Sequence, residues 1–462
     1  MLKSVIRDAV IYGLSSIIAG IARIALIPVY TYVFSPEEYG SIALISSTSI
    51  ILSLVMGFST ETAYTRYFHE IHDQHLLLQN IVAFRLVFGI FTYIIYVICC
   101  FIMINTQIIN IDMITLAIVG FTAYINNITE IFVLVMRMKQ KPWLYFLHST
   151  FSSAISALSS VVIIHFNTTI QGYVIGQIVG ILSGLFISLI ILRPLLSVFH
   201  IHTNQIVLKQ ILSFSIPLFP ASISQYLNTN IDKWSVATFI SNTQVGVYEY
   251  GNNIASMFSL VNSVIRTAFL PYSMKIIQYP QNQASIALKQ LCNTYVYVIA
   301  LLWAIFGEIA IVIANMLAPP QFHDAITIIR VIALNGVIYN LTIFSTLGSW
   351  RSNHSGDFTF AIFAGVVVNV GFTILFVPVY GIIGAAYANL LANIITVAVS
   401  FFLSEKRHSF RFNYKYIGSQ ILLSVCYLFM TLYDNSIIQC AVFGGLATIL
   451  YFITQFIENR KH

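Results

Sequence analysis

The chain has 462 residues, 58% of them hydrophobic and only 8% charged, with a mean hydropathy of +0.85 and a formal net charge of +6. No water-soluble globular domain is this apolar and this poor in charge, which excludes a soluble enzyme. An all-α polytopic membrane protein fits, because in lipid each backbone polar group has to be satisfied within its own segment.

From the N-terminus, two long apolar runs are joined by the short acidic turn at 35–40. The first is too long for the apolar core of a signal peptide and is expected to be retained. The pattern continues to fourteen candidate spans. Six lie at roughly 9–34, 41–60, 80–104, 112–136, 144–165 and 170–193. Six more follow at roughly 210–239, 245–270, 290–315, 325–349, 358–378 and 380–404, and two at 413–433 and 437–457. Each is long enough to cross a bilayer as a helix. Pro217 and Pro220 in the seventh are expected to bend it, since each removes a helix hydrogen bond. The five cysteines (Cys99, Cys100, Cys292, Cys426 and Cys440) sit in or beside apolar runs without C-x-x-C spacing and read as small apolar residues.

Basic residues set the orientation. With both termini in the cytoplasm, 17 of the 22 Lys and Arg residues fall in cytoplasmic segments and no exposed outer loop contains one. Arg23, Arg85, Arg266 and Arg330 lie within spans, and Lys233 lies towards the outer end of the seventh. The positive charge is therefore explained without nucleic acid. The longest connections, 61–79, 194–209 and 271–289, leave no room for an extramembrane catalytic lobe.

Six spans precede the loop near residue 200 and six follow it, which makes a parallel repeat. Three echoes support it in the same order: 35–40 with 241–246, 137–146 with 351–360, and 172–176 with 381–384. The expected division is a six-helix bundle at 1–200, a second at 201–408, and two additional helices at 409–462. Duplicated bundles with a substrate between them are a transporter architecture.

Polar residues at helical spacing mark the faces that meet water. Span one carries Ser16, Gly20, Arg23 and Tyr30, and span two carries Ser46, Ser49, Ser53, Gly57 and Thr60. Span seven has Ser224, Asn228 and Asp232, with Tyr226, Asn230 and Lys233 alongside; span eight has Tyr248, Asn252, Ser256, Ser259, Asn262 and Arg266. A central cavity walled by these four spans is the economical inference, although Ser and Gly stripes also serve as packing seams. Arg23, Arg266 and Lys233, with Asn228, Asn252 and Asn262, would suit an anionic head group such as a diphosphate. Asp232 has two readings: a structural ion pair with Arg23 or Lys233, or ion coupling. Glu308 in span nine is a second coupling candidate among apolar neighbours, and Arg85 and Arg330 near span ends are expected to snorkel.

His69, His72 and His75 look like a metal cluster, but steps of three drift around a helix, and Glu70 and Asp73 mark a solvated segment. No metal site and no cofactor is expected. Walker loops, His-Glu-x-x-His and nucleophile elbows are absent from the sequence, so no catalytic residue is assigned.

Ile27, Pro28, Val29, Tyr30 and Thr31, followed by Phe34, Ser35, Pro36, Glu37, Glu38, Tyr39 and Gly40, resemble the signature of the Wzx-like polysaccharide (O-antigen) flippases. So do Phe214 to Pro220 (Phe-Ser-Ile-Pro-Leu-Phe-Pro), then Asn230, Ile231, Asp232 and Lys233, and then Gly246, Val247 and Tyr248. That family belongs to the multidrug/oligosaccharidyl-lipid/polysaccharide exporter superfamily, with its multidrug (MATE) and lipid II flippase (MurJ-like) members. The resemblance implies a bacterial inner-membrane protein that is not an enzyme. It implies translocation of undecaprenyl-diphosphate-linked oligosaccharide units to the periplasmic leaflet by alternating access, with the polyprenyl tail in membrane lipid. O-antigen or capsule assembly would follow, with a polysaccharide polymerase and a chain-length regulator as partners. Arginines line the cavity of the lipid II flippases, and Arg23 and Arg266 fall in corresponding spans. Where family members often carry Asp-Arg, this chain has Asp232-Lys233, a point charge in place of a planar fork. A multidrug cation antiporter and a non-transporting scaffold of a glycan assembly complex are the alternatives.

Overall fold

A computed structural model describes residues 2–68, 70–71, 73–106, 111–196, 204–352, 354, 356–433 and 437–459. All regular structure among them is helical. The helices are α1 (Leu2–Val33), α2 (Pro36–Gly57), α3 (Thr60–Tyr67), α4 (Gln74–Asn105), α5 (Met113–Met138), α6 (Pro142–Phe166), α7 (Ile170–Leu196) and α8 (Gln205–Phe239). They continue with α9 (Asn242–Ile276), α10 (Gln281–Leu317), a 3-10 turn (Pro320–Ala325), α11 (Ile326–Asn340), the short α12 (Thr342–Ser345) and α13 (Leu347–Arg351). The kinked α14 (Gly356–Arg407), α15 (Tyr414–Tyr433) and α16 (Ile437–Asn459) complete the chain. Eleven helical stretches among the described residues are long and apolar enough to cross a membrane. The expected spans at 358–378 and 380–404 both lie in α14, which counts once, and α9 and α15 are not among the eleven. His69 and His72 lie outside the described residues.

Local chemistry explains where helices start. The Ser35 hydroxyl accepts from the Glu38 amide (3.3 Å) while the Ser35 amide donates to the Glu38 carboxylate (2.9 Å), a reciprocal cap. Its echo Ser241 accepts from the Gln244 amide (3.3 Å) at the start of α9. The repeated turn is thus a repeated helix N-terminus. Asp73 and Asp112 cap α4 and α5 through the amides of Leu76 (3.0 Å) and Thr115 (2.8 Å). Two backbone breaks mark helix boundaries, one just inside the expected end of the second span and one at the expected junction of the spans 358–378 and 380–404. Phe58 and Ser59 both adopt left-handed backbone (φ 49° and 55°) and end α2 before the expected residue 60. Gly381 (φ 65°, ψ −144°) occupies a region open essentially to glycine alone and folds α14 into two segments. Pro217 and Pro220 sit within α8, which is helical from end to end.

The chain packs as two compact units, Met1–Tyr226 and Leu227–His462, with α8 contributing to both. In the first, α6 and α7 approach along a stripe of small residues. A Cβ at Gly176 would stand 2.6 Å from the Ser160 Cα, and one at Gly180 would stand 2.6 Å from the Ser156 Cα. Such contacts let helices associate where lipid gives no hydrophobic drive. A second core packs Tyr64, Leu77, Ile81, Ile131, Val135 and Ile211.

Arg85 does not snorkel. It is wholly buried in the first unit, where its guanidinium donates to Glu61 (2.7 Å), the Thr60 hydroxyl (2.9 Å) and the Asn127 carbonyl (2.6 Å). Phe58, just before α3, stacks on Phe219 at 4.5 Å, and Ser59 bonds Ser222 at 2.9 Å, so the left-handed break is held against α8. Glu61→Gln leaves a buried guanidinium with its main anion gone. We expect a loss of about 3 kcal/mol of stability, read as a lower melting point and reduced membrane abundance. An unchanged melting curve would mean that Glu130, 4.0 Å away, already compensates.

In the second unit, Trp303, Tyr250, Tyr295, Phe322 and Phe344 are fully buried. The Tyr250 hydroxyl donates to the Ala314 carbonyl (2.6 Å), and the Trp303 indole donates to the Arg330 carbonyl (3.0 Å). Tyr297 stacks on Tyr451 at 4.5 Å and ties α10 to α16.

Candidate functional site

The densest polar network lies in the second unit, on the last turns of α8, the start of α9 and both segments of α14. Asp232 is almost wholly buried. Its carboxylate accepts from the Tyr248 hydroxyl (2.9 Å) and the Asn389 amide (3.1 Å), with the Thr373 hydroxyl at 3.5 Å. Thr373 makes its shorter bond to Asn369 (3.1 Å), whose amide nitrogen donates to the Asn228 carbonyl (3.1 Å). Asn393 donates to Asn389 at 2.8 Å. The kink at Gly381 explains the convergence. Thr373 precedes it by two turns and Asn389 follows it by two, so a fold-back there brings both to one carboxylate.

Sequence reasoning found Asp232, Asn228 and Tyr248 but missed Asn369, Thr373, Asn389 and Asn393. The available signal was two polar pairs at i, i+4 in otherwise apolar runs, set symmetrically about Gly381.

Lys233 is paired differently from the expectation. Its ammonium stands 2.8 Å from the Glu249 carboxylate, and both side chains are buried. Neighbouring residues on a helix point about 100° apart. Asp232 and Lys233 therefore meet successive residues of α9, Tyr248 and Glu249. Asp232 is held by hydroxyl and amide donors, whereas Lys233 pairs with Glu249.

Glu308 also departs from the expectation of apolar neighbours. Its Oε1 accepts from Arg330 (2.7 Å) and from the Tyr427 hydroxyl (2.9 Å), which joins α10, α11 and α15. Arg330 is buried, not snorkelling. The triad is a brace between helices.

The remaining candidates are placed separately. Arg23 is exposed on α1 in the first unit. Asn252 and Arg266 are half-buried on α9 in the second, with Arg266 within electrostatic reach of Tyr295 and Tyr339. Asn262 is 1% exposed, and its amide nitrogen and oxygen have no hydrogen-bond partner among the described residues. Such a group is costly to bury and calls for water or ligand.

Chemically, the second unit offers a buried carboxylate ringed by neutral donors and acceptors, and a separate neutralised ion pair. Such a carboxylate has the chemistry to accept a proton or a small cation. Among the described residues of this network no nucleophile has a base beside it.

Comparison with known proteins agrees with a transporter fold. The model of the family described as polysaccharide biosynthesis protein matches residues 5–277. Lsg locus putative protein 1 of Haemophilus influenzae is 20% identical over 319 residues, which is 68% of this chain and 73% of that protein. The inward closed conformation of the lipid II flippase MurJ superposes with a TM-score of 0.69 at 16% identity, covering 99% of both chains. An outward-facing multidrug resistance MATE family transporter of the MOP superfamily gives 0.61 at 13% identity, covering 90% of this chain and 96% of that one. At these identities the structural likeness is one of fold.

Proposed function

Because the chain belongs to the polysaccharide biosynthesis protein family and has the fold of MOP-superfamily transporters, we propose that it is a flippase for undecaprenyl-diphosphate-linked oligosaccharide units. The observation that carries this reading is the family match over 5–277 together with a flippase fold along the whole chain. The protein is a multi-pass membrane protein. It works in the bacterial inner membrane with both termini in the cytoplasm and passes its cargo to the periplasmic leaflet by alternating access. The two bundles 1–200 and 201–408 are the moving parts, and 409–462 is an addition braced on the second. O-antigen or capsule assembly consumes the product, with a polymerase and a chain-length regulator downstream.

Arg23 and Arg266 each offer a fixed cation to the diphosphate during the cycle, with Asn228, Asn252 and Asn262 as neutral hydrogen-bonding groups. Lys233 is already neutralised by Glu249 and does not count among these cations. Asp232 is the coupling residue: a buried carboxylate with neutral donors takes up a proton or monovalent cation at little structural cost.

Deletion of the gene, with no second exporter present, tests the reading. Lipid-linked glycan is expected to build up at the inner leaflet while surface polymer disappears, and wild type restores export. Collapsing the proton gradient, then the sodium gradient, reports on coupling, and transport indifferent to both removes that role from Asp232. The MATE likeness supports one other reading, cation antiport. Unchanged glycan pools with loss of cationic-dye efflux would establish it instead.

A further inference from the structure

The first unit contains a cavity of about 220 Å³ between α2, α5 and α7. Six polar side chains line it: Ser46, Ser49, Thr122, Asn126, Tyr173 and Gln177. Aliphatic side chains make up the rest of the wall, and no ionised group borders it. We propose that this cavity is a subsite for one uncharged sugar ring of the cargo, a choice of ligand that rests on the flippase reading.

The lining decides the class. Without a charged side chain the cavity has nothing to offset the desolvation of a phosphate or a cation. Hydroxyls and amides both donate and accept, as a ring of sugar hydroxyls requires. Thr122 is held by the Ile118 carbonyl (2.7 Å), whereas three contacts of Ser46, Tyr173 and Gln177 are long. Ser46 and Tyr173 are 3.5 Å apart, and Gln177 reaches Ser160 at 3.4 Å and accepts from Ser156 at 3.5 Å. Bonds of this length are weak and easily exchanged for ligand bonds. Asn126 is exposed in the middle of α5, a costly position in lipid and an ordinary one beside water or a sugar. Tyr173 adds an aromatic face for the C–H side of a ring, and Tyr30 holds it edge-on with centroids 5.4 Å apart.

Size and place agree. The volume is below the ~300–1,000 Å³ of sites for drug-sized ligands, so it takes a single ring and not an oligosaccharide. Tyr30 lies two turns from Arg23 on the same face of α1, about 10 Å along the helix. A diphosphate at Arg23 therefore leaves its nearest sugars within reach of Tyr173.

The test uses the purified full-length protein in nanodiscs, with methyl glycosides of glucose, galactose and N-acetylglucosamine as probes followed by saturation-transfer NMR. At least one is expected to bind wild type. Binding should weaken by tenfold or more in Asn126→Leu/Gln177→Leu and in Ser49→Ile, each checked by its melting curve, and persist in Arg23→Gln. Ser49→Ile only fills space, so it remains informative if the double variant does not fold. Failure of every glycoside to bind wild type overturns the proposal, as does equal binding by wild type and a folded cavity variant. Loss of co-purified phospholipid in the variants in place of glycoside binding overturns it in favour of lipid. Sugar-free undecaprenyl diphosphate separates the two readings. If it does not bind and deletion leaves glycan pools unchanged, but the cavity variants still abolish glycoside binding, the flippase reading fails and the sugar subsite stands.

Discussion

Glu249→Ala is expected to destabilise the protein by about 3–5 kcal/mol, the cost of leaving a buried charge without its counter-ion. Lys233 is 8% exposed and Glu249 is 7% exposed, and their charged atoms stand 2.8 Å apart. Lys233→Ala should do similar harm by stranding the carboxylate. The double variant Lys233→Met/Glu249→Leu should return to within about 1 kcal/mol of wild type, because apolar side chains of similar volume avoid the desolvation of both ions. Melting curves and membrane abundance of the two single variants and the double variant decide the matter. Single variants as stable as wild type would mean that water reaches the pair. A double variant no better than the singles would mean that the shape of the pair matters more than its charge. Transport by a stable double variant would then report whether Lys233 has a role beyond structure.

Arg23→Gln should lower transport by about 10–100-fold and leave the folded protein in normal amount. A hydrogen bond to a charged group contributes about 1.5–3 kcal/mol, and each 1.4 kcal/mol is about tenfold. Arg23 is exposed on α1, so its replacement leaves no buried vacancy. Arg23→Lys should retain part of the activity, as a point charge without the planar fork. The readout is the lipid-linked glycan pool in a deletion strain carrying each variant at equal abundance. Full export by Arg23→Gln would remove Arg23 from the diphosphate site while leaving the flippase reading in place.

The membrane class and the helical starts were legible in the residues themselves. Composition alone demands internally satisfied backbone, which among polytopic chains of long apolar runs means helices. Ser35 and Ser241 announce helix N-termini because a side-chain oxygen three residues before a Glu or Gln can satisfy an orphan amide locally. Gly381 marks the break in α14 because other residues avoid its backbone angles. These features depend on a few consecutive residues. Partner choice does not. Asp232 meets Asn389, 157 residues on, and Glu308 meets Tyr427, 119 residues on. Arg85 and Arg330 lie near the ends of apolar runs, where snorkelling is the ordinary outcome, yet both are buried and paired with half-buried carboxylates. Helical periodicity says which face of a helix is polar but not which helix lies opposite. One apolar helix is also much like another in composition. The sequence by itself therefore determined a polytopic helical membrane protein with charge on particular faces. Only the tertiary structure decided which charges neutralise each other, which amides surround Asp232 and where a cavity remains, because packing selects among neighbours that local sequence cannot tell apart.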